Sequence, residues 1–206
     1  PPIRRQIRLG KRQQGLRSRR PFSSVLLPPS GRWPLQPDLA AGRLPGVNRI
    51  GFGFDSHRFA PGRPLMLAGV RIEHDQGLAG HSDGDAALHA LIDALLGAAA
   101  LRDIGEMFPD TDPKWANADS GALLGEVLNE LAVLGWGVVN CDLTIIAERP
   151  KLGPRKAAMR ERIADLLGID SIVVGVKAKT AEGMGAIGAG EGIAAYAVVL
   201  LEEMSG

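Results

Sequence analysis

Asp55-Ser56-His57 and His89 are the residues whose types and spacing most suggest chemistry. In an extended run, an i, i+2 pair places both side chains on the same side, so Asp55 and His57 face together. His89 falls on the non-core face of a predicted helix. Two histidines and a carboxylate form a common ligand set for a catalytic zinc that keeps one position open. The same residues would serve as solvated or structural groups, so taken alone they leave both readings open. Three of the four histidines (His57, His81 and His89) lie in segments crowded with Asp. The fourth, His74, sits in a predicted turn and is unassigned.

His81-Ser82-Asp83-Gly84-Asp85 opens the same helix, where free N–H groups and the positive dipole end suit an anion such as phosphate. Asp103-Ile104-Gly105 and Phe108-Pro109-Asp110-Thr111-Asp112 add carboxylates on a loop. Carboxylates near phosphates suggest a hard cation such as Mg²⁺ between them. Glu148-Arg149-Pro150-Lys151 and Lys177-Ala178-Lys179-Thr180-Ala181-Glu182 end two predicted strands with charge, as ligand-binding loops often do. Each of these runs also reads as ordinary surface charge. Asp85 and Asp93 flank His89 one helical turn away on each side, so either is placed to orient its imidazole. Gly183-Met184-Gly185-Ala186-Ile187-Gly188 matches G-x-G-x-x-G, but a β-like run follows it where a dinucleotide site needs a helix.

The elements that must position these groups follow from hydrophobic period and breakers. Strands are predicted at Arg49–Phe54, Leu65–Ile72, Val138–Ala147, Ile172–Lys179 and Ile193–Leu201. Helices are predicted at His81–Leu101, capped by Ser82, at Ser120–Leu134, and at Pro154–Leu167. The order β-β-α-α-β-α-β-β is not a strict alternation. It implies an α+β fold, with a mixed or antiparallel sheet and helices on one side.

The 206 residues carry 24 Lys+Arg against 23 Asp+Glu, yet this near-neutrality conceals a split. Residues 1–48 hold ten basic residues and one acid, Asp38, whereas residues 49–206 hold 14 basic residues and 22 acids. Two regions are expected: a disordered basic extension at 1–48 and one catalytic domain at 49–206. The extension reads as a transit peptide, a polyanion-binding arm or a dispensable segment. The single cysteine, Cys141, fits a reducing compartment. The expected location is cytoplasmic, or plastid if the extension is a transit peptide. The most apolar stretch, Ala86–Leu101, is broken by His89 and Asp93 and is too short to span a bilayer.

Arg49-Ile-Gly-Phe-Gly-Phe-Asp55-Ser-His57, Gly80-His-Ser-Asp-Gly-Asp-Ala-Ala-Leu-His89, Asp103-Ile-Gly105, Phe108-Pro-Asp-Thr-Asp112 and Gly190-Glu-Gly192 occur in this order. Together, from about Arg49 to Glu203, they resemble the 2-C-methyl-D-erythritol 2,4-cyclodiphosphate synthase family of the non-mevalonate isoprenoid pathway. The resemblance implies a homotrimer with active sites at its subunit interfaces. It implies a lyase that converts 4-diphosphocytidyl-2-C-methyl-D-erythritol 2-phosphate to the cyclic diphosphate and releases CMP.

It further implies zinc, or another divalent transition metal, on Asp55, His57 and His89, with Asp55 and His57 also touching substrate. His81 and Ser82 match contacts to the methylerythritol and phosphate part. Asp103, Ile104, Gly105, Phe108, Pro109, Asp110, Thr111 and Asp112 match substrate loops. Ala147, Pro150, Lys151, Lys179, Thr180, Ala181 and Glu182 match the cytidine-diphosphate pocket. His81 and Thr180 take the family's catalytic, transition-state-stabilising roles, and Glu182 that of a ligand for Mg²⁺ or Mn²⁺. Ala186 and Ala189 depart from the family's Phe and Arg, which implies weakened binding of isoprenoid diphosphates. A zinc-dependent phosphohydrolase and a non-catalytic, metal-stabilised trimeric binding protein are the competing readings. The small-molecule cytidine diphosphate substrate is the expected partner, with neither membrane nor nucleic acid.

Overall fold

The computed structural model describes residues 48–204. The extension expected to be disordered therefore lies, except for Asn48, outside the described residues. The elements are β1 (Arg49–Pro61), β2 (Leu65–Leu67), β3 (Val70–Ile72), β4 (Gln76–Leu78), α1 (Ala86–Ala98), α2 (Ile104–Met107) and α3 (Ser120–Val133). They continue with β5 (Trp136–Ile146), α4 (Lys156–Leu167), β6 (Val174–Lys179), α5 (Gly185–Gly188) and β7 (Gly192–Glu203). Five strands form one sheet in the order β4-β1-β7-β5-β6, while β2 and β3 pair separately as a hairpin. Only β5 and β6 pair in parallel; the other pairs are antiparallel, so the sheet is mixed and the fold α+β.

Alternation along β1 sets how the sheet meets its helix. Gly51 and Gly53 point inward, and a Cβ at either would lie about 2 Å from a carbonyl oxygen of α1, at Ala94 or Ala90. Ala86, Ala90, Ala94 and Ala98 recur every four residues and form a small-residue stripe along α1. Glycine against alanine lets helix and strand approach closely. The rest of α1 is buried almost throughout, including Leu88, Leu91, Ile92 and Leu95, and it packs against β7, α3 and β2 as well. The opposite face of β1 and β7 exposes Ile50, Phe52, Phe54, Tyr196 and Val198. Cys141 is buried on β5, where burial, and secondarily the charge of Asp142, push its thiol up to about 12, so it is unreactive.

Several boundaries differ from expectation. The first strand runs seven residues past Phe54, so Asp55 and His57 lie within β1 rather than after it. The predicted strand Leu65–Ile72 is a hairpin that turns at Ala68 and Gly69, both with positive φ (54° and 70°). Strand β4 was not anticipated. The large helix starts at Ala86, not His81, and its N-cap is Asp85, whose side chain accepts from the N–H groups of Ala87 and Leu88. The Asp85 carboxylate also accepts from Ala68 and Gly69 in the hairpin turn, at 2.8 and 2.6 Å. A 3₁₀ turn precedes each of α4 and β6, which shortens both against prediction.

Candidate metal site

The alternation that turns Gly51 and Gly53 toward α1 carries on to Asp55 and His57, which pair across the sheet with Ala195 and Ile193. They reach the first turn of α1, where His89 points back at them. Asp55 Oδ2 lies 2.8 Å from His57 Nε2 and 2.9 Å from His89 Nδ1, and the two nitrogens are 3.0 Å apart. These are the only His, Cys, Asp or Glu side chains among the described residues that converge as a group able to hold a metal ion.

His89 is buried, not on an open helix face, and its other nitrogen, Nε2, lies 3.0 Å from both Ser82 Oγ and Ser120 Oγ. The donor set itself fits a cation. A carboxylate oxygen and two imidazole nitrogens converge there, and each offers a lone pair to a cation once the ring nitrogens are unprotonated. Burial pushes the Asp55 carboxyl up, but the hydrogen bond from His57, with the neighbouring His89 ring, outweighs it and holds the group well below the usual carboxylate range. Burial alone would lower His57; the hydrogen bond and charge of Asp55 reverse this and raise it.

This triad opens on a cavity of about 240 Å³ whose wall includes His81, Ser82, Ile104, Gly105, Phe108 and Asp110. Phe108 and Trp115, edge to face at 4.8 Å, form its apolar side. The segment 80–85 is not a helix start open to an anion, because Asp85 already occupies the first N–H groups of α1. It is a loop tied down by Arg63, which donates to the carbonyls of Gly80 and Ser82.

Neither acid expected to orient His89 does so. Asp85 is spent on the helix cap and the hairpin turn, and Asp93 accepts from Ile104 N at 2.9 Å, anchoring α2. In the acidic loop, Asp103 caps α2 through Glu106 N, and Asp112 caps the next 3₁₀ turn through Lys114 N. Sequence reasoning missed Trp115 on the apolar wall and Ser120 behind His89. The only trace Ser120 left was its place at the start of a predicted helix.

A second cavity, of about 150 Å³, is lined by Ala147, Pro150, Lys151, Lys179 and Thr180, with Leu152 and Lys156 besides. It shares no lining residue with the first. Beside it, Thr180 donates to the Glu182 carboxylate, and Glu148 Oε1 accepts the N–H groups of Ala181 and Gly183, each at 3.0 Å. The structure thus places the metal-ligand candidates with His81, Ser82 and the 104–110 loop. It sets 147–151 and 179–182 apart from them, with Glu182 outside the three-residue metal group. The glycine-rich segment holds one helical turn, α5, and then enters β7, so it lacks the helix a dinucleotide site requires.

An α+β domain with a two-histidine, one-carboxylate triad at the floor of a cleft has the features of a metal-dependent enzyme acting on a small molecule. The YgbB family profile matches residues 48–202. A 2-C-methyl-D-erythritol 2,4-cyclodiphosphate synthase of Symbiobacterium thermophilum is 60% identical over 152 residues, covering 74% of this chain and 97% of that one. The synthase of Thermosynechococcus vestitus is 54% identical over 154 residues, 75% of this chain and 96% of its own. A solved 2C-methyl-D-erythritol-2,4-cyclodiphosphate synthase in a CDP-bound form superposes with a TM-score of 0.69 at 44% identity, over 74% of this chain and 99% of the other. The chain belongs to the YgbB family, that of the 2-C-methyl-D-erythritol 2,4-cyclodiphosphate synthases.

Proposed function

We propose that this chain closes 4-diphosphocytidyl-2-C-methyl-D-erythritol 2-phosphate into the 2,4-cyclodiphosphate at the Asp55–His57–His89 cleft. An oxygen of the 2-phosphate forms a bond to the β-phosphorus as the bond from that phosphorus to the α-phosphate oxygen breaks, and CMP leaves with the electron pair. Both partners are anions, so the barrier is repulsion and alignment rather than generation of a nucleophile. Asp55, His57 and His89 would hold zinc, or another divalent transition metal, which supplies neutralising charge and one open position. His81 and Ser82 face the methylerythritol phosphate, and Asp103 to Gly105 with Phe108 to Asp112 enclose the sugar-like part. Ala147, Pro150, Lys151, Lys179 and Ala181 hold the cytidine diphosphate. Thr180 takes the second stabilising role, beside Glu182 as the ligand of a harder ion, Mg²⁺ or Mn²⁺. The observation that carries this reading is the convergence of the three ligand atoms within 3.0 Å in a member of this family.

The working unit is a homotrimer. Two features support it: metal and nucleotide cavities that do not join within the chain, and the uncovered apolar stripe from Ile50 to Val198. No helix among the described residues is long and apolar enough to cross a membrane. Turnover followed by phosphorus NMR tests the proposal: CMP and a cyclic diphosphate are expected. A linear phosphate product would identify a phosphohydrolase, and zinc binding with no product would identify a binding protein.

A further inference from the structure

The hydrogen bonds behind His89 form a chain with a fixed direction. Asp83 Oδ1 accepts from the Ser120 hydroxyl, and Asp83 Oδ2 accepts from Ser120 N at 3.3 Å. Asp83 Oδ1 also accepts from Asp85 N at 3.2 Å, so donors meet the carboxylate on both oxygens. The one hydroxyl proton of Ser120 is thereby committed to Asp83, and toward His89 Nε2, 3.0 Å away, Ser120 can only accept. Ser82 does not settle the matter by itself. Its Oγ accepts from Gly84 N at 3.2 Å, while its own proton remains available in either direction.

We propose that Asp83 and Ser120 are positioning residues that fix His89 in its Nε2–H form. Nδ1 is then left as the lone pair facing Asp55 and His57. The inference rests on the reading of Asp55, His57 and His89 as a metal site. It adds that the site's readiness is set from α3, an element distant in sequence from every ligand. Asp83 N donates to Ala118 O at 3.0 Å, which ties the loop to the chain leading into α3 and holds the relay in register. Outer partners of a ligating histidine select its tautomer and raise its basicity, and their loss usually weakens metal binding about 10–100-fold.

The test uses the full chain, ¹⁵N-labelled and stripped with a chelator, then titrated with zinc against a chromophoric competitor. Long-range proton–nitrogen NMR of the wild type should show His89 protonated at Nε2 and bare at Nδ1. Ser120→Ala and Asp83→Asn should each weaken zinc binding about 10–100-fold. The amide of Asp83→Asn can donate to Ser120 Oγ and free the hydroxyl to donate to Nε2, so this variant should also gain the Nδ1–H form. A wild-type His89 protonated at Nδ1, or zinc affinity unchanged in both variants, would overturn the proposal. The wild-type spectrum decides it even if a variant fails to fold. A wild type with the expected tautomer but no zinc affinity would overturn the metal reading and leave the relay standing.

Discussion

The candidate metal cleft and the cavity proposed for the nucleotide are built in opposite ways. The first rests on the most buried part of the molecule: Asp55 and His57 lie on a strand pressed against α1, and His89 lies on α1 itself. The second is made from strand ends and turns, where Lys151, Lys179 and Glu182 are exposed and the shape depends on Glu148 gathering two backbone N–H groups. Core packing fixes ligand atoms to within a few tenths of an ångström, as a metal requires. Turns tolerate adjustment, as the proposed nucleotide site beside a second copy would require. Damage at the first region should therefore be all-or-none, and damage at the second graded.

The largest effect should come from the ligands. His57→Ala and His89→Ala each remove one of three donors, and turnover should fall by far more than the ~10–100-fold typical of outer partners, while the fold persists. Metal content by elemental analysis checks this, and undiminished metal in both variants would remove the assignment. Gly53→Ala should act on the same cleft through the fold. Its new Cβ would stand 2.0 Å from Ala90 O, so α1 must move, at a cost of about 3 kcal/mol or more. His89 would move with the helix. Denaturant unfolding and zinc titration should therefore fail together; a stable variant that has lost only zinc would break the link between core and cleft.

How much of this was legible in the sequence follows the same division. Asp55 and His57 could be found because the strand period is local and places both on one face, whereas His89 stood out by residue type and its predicted non-core face is in fact buried. The α+β class was readable from element order. The hairpin at Ala68–Gly69 was not, since three-residue strands give little pattern and the turn is held by Asp85, sixteen residues further along. The same buried carboxylate displaced the expected helix start, because it caps α1 where Ser82 had seemed to. Ser120, and the link from Asp83 through it to His89, escaped notice for a like reason: they act through space, and no spacing rule connects them. The proposed homotrimer and the proposed roles of residues 147–182 rest on family resemblance, not on any property of those residues alone.

A smaller, selective effect is expected at the second region. Glu148→Ala leaves the N–H groups of Ala181 and Gly183 without their acceptor. Water can replace it in part, so the loss belongs near the low end of about 1–3 kcal/mol. CMP affinity should drop about tenfold by calorimetry while zinc affinity holds. A variant that loses zinc as readily as CMP would show that the two regions are not independent.

The smallest effect is a pH dependence of opposite sign with and without metal. In the metal-free protein, His57 is raised above 6.5 by Asp55, against the opposing effect of burial. Its contribution to stability is fully present below 6.5 and is lost as pH rises through the raised value. Asp55, depressed below 3.8 by the two histidines despite burial, contributes stability above 3.8 that is lost only in stronger acid. The cluster therefore stabilises the metal-free chain most between about 4 and 6.5, and less as pH climbs beyond that window. Zinc needs His57 unprotonated, so its affinity should rise over the same interval in which the metal-free contribution fades. Thermal unfolding from pH 5 to 9, with chelator and with excess zinc, should give midpoints that diverge steadily with pH. His57→Gln should remove the divergence, since neither the proton nor the metal is then held at that position. Parallel curves for the wild type would mean that His57 does not exchange its proton for the metal, and the cleft would lose its distinction from the nucleotide side.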